Sequence, residues 1–433
     1  MTVAALQYLT GFGSEHETEA LDGALPKGQF SPQRCPYGLY AEQFSTTAFT
    51  APRAHNRRSW TYRLRPSVVM GGFTPWSQSN WLTAPLQGGH PSPEPMRWSP
   101  PPAPEQPLTF IEGVTTVAVN GDARSQCGLA IHLYQANRGM GDSAFYNADG
   151  ELLLLPEQGE LSLFTEFGRL QVAPGEIAVI PRGVKFKVDP VNGPLRGYLA
   201  ENYGAPLTLP ERGPVGANGF ANERDFLYPV AWFEDRKAPH QLFCKFAGGF
   251  HSAPLSHSPF DVVAWTGNSA PYKYELSRFN VMGSVSFDHP DPSIFTVLTS
   301  PSDTAGWANL DFVIFPPRWM VAEHTFRPPW FHRNVMSEFM GLIKGQYDAK
   351  ADGFLPGGMS LHNCMTPHGP DAAVHAQGST TDLKPERYRD TLAFMLESRY
   401  LLEPTPHALN STLRQQDYAQ CWQGLESQFN GHR

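Results

Sequence analysis

The chain has 433 residues, with 33 Lys and Arg against 41 Asp and Glu, and a formal net charge of -8. This balance argues against a nucleic-acid-binding protein and supplies no polybasic run for an anionic membrane. Charged residues make up only 17% of the sequence and aromatic residues 12%, so we expect a large core and surface buried between subunits. The length predicts at least two domains, and a small molecule is the expected partner.

The cysteines and the amino terminus bear on the cellular compartment. The five cysteines are widely scattered, odd in number and never spaced as CxxC, which is typical of free thiols in a reducing compartment. No basic residue precedes an apolar run at the amino terminus, and no apolar run approaches the roughly 18 residues that a membrane helix needs. We therefore expect a cytoplasmic protein without a signal peptide and without a membrane partner.

Most of the chain is expected to form strands. Residues 1–58 combine turn-forming residues with aromatic residues and little periodicity, so we expect an extended arm packed on the body. From Leu108 onward, strand patterns follow one another closely, which is typical of a β-sandwich or barrel. Residues 212–271 are rich in aromatic side chains without a repeat, and we interpret them as a packed connector between two barrels.

A short motif suggests what kind of barrel the first half forms. Gly175 is followed by Pro181 and Gly183 at the spacing of the second half of the cupin motif, but Phe186 stands where that motif has a metal-binding histidine. We therefore predict a cupin-like barrel whose metal position is filled by an apolar side chain. A plain jelly-roll hairpin is the alternative, and it also predicts no metal here.

The stretch from Trp330 to His368 concentrates histidines and a carboxylate. His332 and Glu338 are six residues apart, which on a helix would place them on different faces. On a straight strand the same spacing would separate them by about 20 Å. The chain must bend if both side chains bind one ion, and we predict the bend at residues 334–337. A strand over residues 338–343 should follow, and a return strand over residues 359–361 should bring His362 and His368 back.

Two imidazoles and one carboxylate on bent strands match the 2-His-1-carboxylate arrangement of non-haem Fe(II), which leaves positions open for substrate and dioxygen. Spacing alone does not choose between His362 and His368 as the second imidazole. His289 lies in a proline-stiffened loop, Asp288–Pro292, and loops on rigid barrels often carry reactive groups. An ordinary surface histidine is the plainer alternative for His289.

Two segments near the carboxyl terminus have apolar patterns that predict further elements. Residues 387–400 fit either a helix or a strand that closes a second barrel, and we favour the strand. Residues 411–425 carry a partial apolar face behind Ser411, so we predict a helix with Ser411 as its N-cap.

Three stretches, Tyr8–Pro66, Asn147–Arg182 and Trp330–Asp371, together resemble the homogentisate 1,2-dioxygenase family along essentially the whole chain. The resemblance implies an all-β dominated, two-domain cupin or jelly-roll-like β-sandwich architecture with few short helices. It implies a large β-rich domain over residues 1–279, which contains the arm and the metal-free barrel. A jelly-roll domain over residues 280–433 would carry the iron. The family also implies a homohexamer built as a dimer of trimers.

The resemblance further implies an activity and roles for particular residues. The family is a ring-cleaving oxidoreductase that incorporates both atoms of dioxygen into homogentisate, giving maleylacetoacetate in tyrosine and phenylalanine catabolism. The implied iron ligands are His332, Glu338 and His368; the implied proton acceptor is His289; the implied substrate contacts are Tyr347 and His368; and His362 would lie in the shell around the ligands.

Two other classes of protein would use similar sequence features. A cupin-type isomerase or hydrolase would hold Zn(II) in the same ligands as a Lewis acid. A non-catalytic binding cupin would need no redox metal. Affinity does not separate the metals, because the first-row order favours Zn(II) over Fe(II) in the same site.

Overall fold

Strands account for most of the regular structure in the computed structural model, which describes residues 5–78, 80–87, 91–213, 220–283, 286, 295–327, 329–347, 349–350 and 352–431. The first fifteen strands are β1 (Tyr8–Thr10), β2 (His16–Glu19), β3 (Tyr40–Ser45), β4 (Arg58–Arg63), β5 (Thr74–Pro75), β6 (Met96–Trp98), β7 (Val114–Asp122), β8 (Cys127–Ala136), β9 (Ser143–Asn147), β10 (Glu151–Gln158), β11 (Leu161–Thr165), β12 (Gly168–Val172), β13 (Glu176–Ile180), β14 (Phe186–Pro190) and β15 (Leu195–Asn202).

Strands continue to the carboxyl-terminal region, where helices are short. The remaining strands are β16 (Phe226–Pro229), β17 (His240–Phe246), β18 (Gly249–Leu255), β19 (Val262–Gly267), β20 (Tyr272–Glu275), β21 (Thr296–Pro301), β22 (Ala308–Phe315), β23 (Arg318–Trp319), β24 (Ser337–Lys344), β25 (Met359–His362), β26 (Arg387–Tyr388), β27 (Leu392–Ser398) and β28 (Glu403–Pro404). The α-helices are α1 (Ala372–Thr380) and α2 (Pro406–Leu409), and short 3-10 turns cover Pro36–Gly38, Glu223–Asp225, Leu276–Arg278 and Tyr418–Trp422. The predicted all-β sandwich architecture with few short helices is confirmed.

Two large sheets build the first half of the chain. One has nine strands in the order β1-β16-β20-β13-β10-β15-β8-β7-β28, and the other has seven in the order β12-β11-β14-β9-β17-β18-β5. The apolar run of β10 is buried throughout its first six residues because this strand lies between β13 and β15. In β11, buried and half-buried residues alternate, as expected for a strand with one face on the core. Both sheets contribute to one continuous hydrophobic core.

Phe186 lies inside this core. Its ring is fully buried, 5.6 Å from the Phe145 ring at an angle of 90° and 6.2 Å from the Phe110 ring. Such edge-to-face contacts between aromatic rings stabilise a core beyond the burial of their area. An aromatic cluster therefore surrounds the residue that stands at the cupin histidine position.

The interpretation of residues 212–271 as a connector is wrong. This segment supplies β16 to the nine-stranded sheet, β17 and β18 to the seven-stranded sheet, and β19 to a four-stranded sheet in the order β2-β19-β4-β3. The amino-terminal arm is integrated in the same way, because β1, β2 and β3 are edge strands of these sheets. Its residues are held by main-chain hydrogen bonds as well as by side-chain packing.

A six-stranded sheet in the order β21-β22-β27-β24-β25-β6 forms the second half. The strand favoured for residues 387–400 is confirmed as β27. The helix predicted over residues 411–425 is wrong, because this segment contains turns and the 3-10 turn Tyr418–Trp422. Two strands cross between the halves: β6 pairs with β25, and β28 pairs with β7. The boundary between residues 279 and 280 stays a prediction.

None of the helices in the described part of the chain combines the length and apolar character required to cross a lipid bilayer.

Candidate metal centre

The predicted bend before β24 is present and has a clear local cause. The backbone bends at residues 335–336, and β24 begins at Ser337. Asn334 Oδ1 accepts a hydrogen bond of 3.0 Å from the Met336 N–H, a local turn that asparagine favours. Asn334 Nδ2 donates to Glu338 Oε1 at 3.1 Å and to Glu397 Oε1 at 3.0 Å. The bend residue therefore also orients the carboxylate that opens the strand.

β24 is fixed against its neighbours by close packing. Glu338 pairs with His362 of β25 on one side and with Glu397 of β27 on the other. Gly341 lies where a Cβ atom would come within 2.3 Å of the Phe394 ring, so this position has no room for a larger residue. The carboxylate of Glu338 is thus held on a rigid central strand.

An isolated antiparallel bridge brings the two remaining ligand candidates together. The His332 N–H donates to the His368 carbonyl at 3.0 Å, and the His368 N–H donates to the His332 carbonyl at 3.1 Å. The two imidazole centroids lie 4.2 Å apart at an angle of 61°. His332 and His368 are therefore positioned by each other's backbone, although 36 residues separate them in the sequence.

His332, Glu338 and His368 each offer one ligand atom, and these three atoms lie within 4.8 Å of one another. His368 Nε2 is 2.9 Å from Glu338 Oε2, and His332 Nε2 is 3.6 Å from Glu338 Oε1. Ligand atoms about 2.1 Å from one ion and at right angles to each other lie about 3 Å apart. The two distances from the histidines to Glu338 are therefore close to those expected for neighbouring ligands of one metal ion.

Hydrogen bonds on the far side of each ring select the tautomer that can bind a metal. Nδ1 of His332 lies 2.9 Å from the Trp330 carbonyl, and Nδ1 of His368 lies 2.9 Å from the Thr366 carbonyl. A carbonyl oxygen only accepts, so each Nδ1 carries a proton and donates it. In the neutral tautomer the lone pair of each Nε2 can bind a metal, whereas in the imidazolium form each Nε2–H can donate to Glu338 instead.

The electrostatics of the three residues favour a cation at this point. Burial alone would raise the pKa of Glu338, but hydrogen bonds from His332 and His368 outweigh it and hold that pKa well below the usual range. Burial would lower the pKa of His332, but the hydrogen bond to Glu338 outweighs this effect and raises it. The Glu338 carboxylate is ionised at neutral pH and supplies a negative charge between the two imidazoles.

His362 does not belong to this triad. Its ring is stacked on the His368 ring, with centroids 4.2 Å apart and an interplanar angle of 5°. Its Nε2 lies 2.9 Å from the Tyr418 hydroxyl, and its buried Nδ1 has no hydrogen-bond partner. Burial lowers the pKa of His362 well below its ordinary value, so this imidazole is neutral. It supports the ring of His368 from behind.

A cavity lies in front of the triad. Phe315, Met340, Phe354 and Met395 form its apolar walls, and Tyr347 also lines it. The Tyr347 ring meets the rings of Phe315 and Phe354 edge-on, with centroids 5.6 and 6.2 Å away. The cavity therefore combines a polar metal-binding point with flat apolar surfaces suited to an aromatic ring.

Some residues of this site carry no signal in the sequence, and one predicted residue lies outside the described part of the chain. Tyr418 binds His362 from a segment predicted as a helix, and Arg97 and Lys350 line the cavity without having been singled out. The only sequence signal for Tyr418 was its aromatic character, which was attributed to a helical face. His289 lies outside the described residues, and its role stays a prediction.

Fold and site together define an all-β protein with a candidate mononuclear centre of the 2-His-1-carboxylate type. Family models for the amino-terminal and carboxyl-terminal parts of homogentisate 1,2-dioxygenase match residues 7–276 and 277–429. The chain belongs to the homogentisate 1,2-dioxygenase family.

Curated relatives named homogentisate 1,2-dioxygenase cover nearly the whole chain. The protein of Bradyrhizobium diazoefficiens is 58% identical over 427 residues, which are 98% of this chain and 95% of the relative. The protein of Nitrobacter hamburgensis is 59% identical over 428 residues, with the same coverage of both chains. The protein of Rhodopseudomonas palustris strain BisB18 is 58% identical over 424 residues, again with 98% and 95% coverage.

Proposed function

We propose that this protein is a ring-cleaving dioxygenase that converts homogentisate and dioxygen to maleylacetoacetate in the catabolism of tyrosine and phenylalanine. The observation that carries this proposal is a His/Glu/His triad, with Glu338 buried and His332 partly exposed, facing an aromatic-lined cavity. The relatives that cover 98% of the chain are named for the same substrate and reaction.

The metal that we propose is Fe(II), held by His332, Glu338 and His368. The donor set fits, because two neutral imidazoles and one ionised carboxylate suit a divalent ion that keeps other coordination positions open. When bound, the iron supplies the electron sharing that lets triplet dioxygen react with an aromatic ring. Glu338 keeps the net charge of the site low.

The cavity residues bind and orient the substrate. The apolar walls would hold the ring of homogentisate and exclude water from it. Tyr347 and His368 are the proposed substrate contacts, with the Tyr347 hydroxyl able to donate or accept a hydrogen bond. His362 would position His368, because the two rings are stacked and Tyr418 fixes His362 on its other side.

His289 is the proposed proton acceptor. Homogentisate keeps a second hydroxyl on the far side of its ring, and removal of that proton makes the ring electron-rich enough to react with dioxygen. Histidine has an unperturbed pKa of about 6.5, which suits a base near neutral pH. Tyrosine, with a pKa of about 10, is a poor base for the same step.

We also propose a cytoplasmic homohexamer built as a dimer of trimers. Large apolar side chains are exposed on the single chain, including Trp319, Phe331, Leu355 and Met365. Exposed apolar groups of this size are typical of surfaces that associate. A solution mass equal to one chain would refute the oligomer.

Metal analysis of anaerobically purified protein, combined with dioxygen uptake on addition of homogentisate, tests the proposed function. We expect iron and uptake of one dioxygen per homogentisate. Zinc without dioxygen uptake would instead support the isomerase or hydrolase alternative. Protein without any transition metal, and without uptake after Fe(II) is supplied, would support a binding cupin.

A further inference from the structure

Lys350 is a buried cation in the wall of the cavity. Its side chain lines the same cavity as the triad, and only 8% of the residue is exposed. Its Nζ donates a hydrogen bond of 2.8 Å to the Gly369 carbonyl and lies 4.6 Å from the Trp422 ring and 5.3 Å from the Tyr418 ring. Aromatic faces attract an ammonium group without neutralising it. The charge of Lys350 is therefore held in place but not cancelled.

Among the described residues, Asp371 is near enough to raise the pKa of Lys350, but no carboxylate lies within ion-pair distance of Nζ, and its hydrogen-bond acceptor there is the Gly369 carbonyl. An ammonium group has three donors, so two are left for another partner. Burial lowers the pKa of Lys350 to about 8, which leaves the group mostly protonated near neutral pH. Lysine is rarely buried without a compensating anion. The missing anion is a feature that a ligand can supply.

Arg97 supplies the other cation in the described wall of the cavity, and its guanidinium already contacts three protein groups. Its Nε donates to Gln415 Oε1 at 2.5 Å, one terminal nitrogen donates to the Asp352 carbonyl at 3.2 Å, and its guanidinium lies 4.4 Å from the Tyr418 ring. Arg97 thus anchors the carboxyl-terminal segment and adds positive charge. Glu338 is the acidic residue among the described residues that line the cavity, and its carboxylate faces His332 and His368. The other charged side chains of this described lining are Lys350 and Arg97, apart from the histidines.

We infer that Lys350 binds the carboxylate of the aromatic acid that occupies this cavity and selects for that group. The inference rests on the proposed function, in which the acid is homogentisate. Nζ is bonded to the carbonyl of Gly369, the residue after His368, so a carboxylate on Lys350 lies beside the metal-binding end of the cavity. In homogentisate, the acetate arm is next to a ring hydroxyl. One molecule can therefore reach the metal through that hydroxyl and Lys350 through its arm.

A purely structural role for Lys350, holding Gly369 and the carboxyl-terminal turn, makes a different prediction. Loss of a structural contact would weaken every ligand of the cavity by a similar factor. Loss of a carboxylate-binding group weakens only ligands that carry the carboxylate. Comparison of a charged and an uncharged ligand therefore separates the two roles.

The test uses the iron-loaded, full-length protein with Lys350→Gln and Lys350→Arg. Lys344→Gln is the matched control, because Lys344 is an exposed lysine at the end of β24 paired with Asp390. The measurements are KM and kcat for homogentisate, and the inhibition constant of methylhydroquinone, which has the same two hydroxyls but no carboxylate. In Lys350→Gln, KM should rise about 10- to 100-fold, the range expected for a charge-assisted hydrogen bond. The inhibition constant of methylhydroquinone should change less than about threefold.

Lys350→Arg should recover most of the affinity, and Lys344→Gln should match the wild type. A wild-type KM for homogentisate in active Lys350→Gln, or an equal loss for both ligands, would overturn the inference. Independently of any variant, the wild type should bind the neutral methyl ester of homogentisate at least about 10-fold more weakly than the acid. Equal affinity for acid and ester would also overturn it. Failure of the wild type to consume dioxygen with homogentisate would instead refute the proposed function.

Discussion

The two histidines that approach the centre from the β25 side should respond differently to substitution. His368 contributes a ligand atom 2.9 Å from Glu338, so His368→Ala removes one of three proposed iron ligands. We expect loss of both iron and activity, as for His332→Ala and Glu338→Ala. His362 lies outside the triad; its side chain stacks on His368 at 4.2 Å and its backbone pairs with Glu338. We expect His362→Ala to keep the iron and to lose activity about 10- to 100-fold, the usual effect of a group that orients a ligand.

A smaller change isolates the positioning contact. Tyr418→Phe removes only the hydroxyl that lies 2.9 Å from His362 Nε2 and leaves that buried nitrogen without a partner. A buried group left unpaired costs about 1–3 kcal/mol, so we expect a lower melting temperature and a smaller loss of activity than in His362→Ala.

Iron content by elemental analysis and turnover by dioxygen uptake should be measured on the same anaerobic preparations. Lys344→Gln serves as the control, because the Lys344 side chain is exposed and pairs with Asp390 at the surface. The assignment would be wrong if His362→Ala lost its iron while His368→Ala retained it. Full activity in His362→Ala would leave the triad intact and refute the positioning role.

Two other predictions follow from the proposed base and from a buried acid. His289→Phe should keep its iron and its fold but lose roughly two orders of magnitude in turnover, which is within the range for a positioned general base. Near-wild-type turnover of an iron-replete variant would refute this role of His289. Burial raises the pKa of Glu151 to about 7 in the folded protein, against 4.5 in the unfolded chain. Between these two pH values the folded state binds one more proton than the unfolded state, so the free energy of unfolding falls as the pH rises from 4.5 to 7. Glu151→Gln keeps an acceptor for the Leu207 N–H but does not titrate. Measured by urea unfolding, the free energy of unfolding of the variant minus that of the wild type should increase by about 2 kcal/mol from pH 5 to pH 8. A difference in unfolding free energy that does not change with pH would contradict this prediction.

Local chemistry was sufficient to predict the bent ribbon that carries the triad. The distance argument for His332 and Glu338 required a bend, and the sequence after it has the apolar character of a central strand. The structure bears out the bend at residues 335–336, β24 and the return strand β25. Each of these features depends on residues that are close in sequence.

The spacing of residues in the sequence does not decide whether His362 or His368 is the second histidine ligand, because the answer depends on a non-local contact. His362 pairs directly with Glu338 across β24 and β25, which makes it a reasonable ligand on local grounds. His368 reaches the triad only because its backbone bridges to His332. No periodicity in the sequence encodes that bridge, whereas resemblance to the family selected His368.

The wrong helix at residues 411–425 has a similar cause. Its apolar residues do not share one face in the structure but bind separate partners. Tyr418 contacts His362, the Trp422 indole donates to the Pro370 carbonyl, and the Leu413 carbonyl accepts from the Ser99 N–H. Helix propensity is a weak preference, and these tertiary contacts outweigh it. The same contacts bring the rings of Tyr418 and Trp422 against Lys350.

The centre also depends on residues far from it in the sequence. β6, from the first half of the chain, is the edge partner of β25, and its central residue Arg97 reaches the cavity and holds Gln415. In return, β28 closes the edge of the nine-stranded sheet beside β7. Main-chain hydrogen bonds therefore join both halves at the strands that flank the site. The geometry of the triad and the placement of Arg97 in its cavity consequently depend on both halves of the chain, although all three proposed ligands lie within 37 consecutive residues.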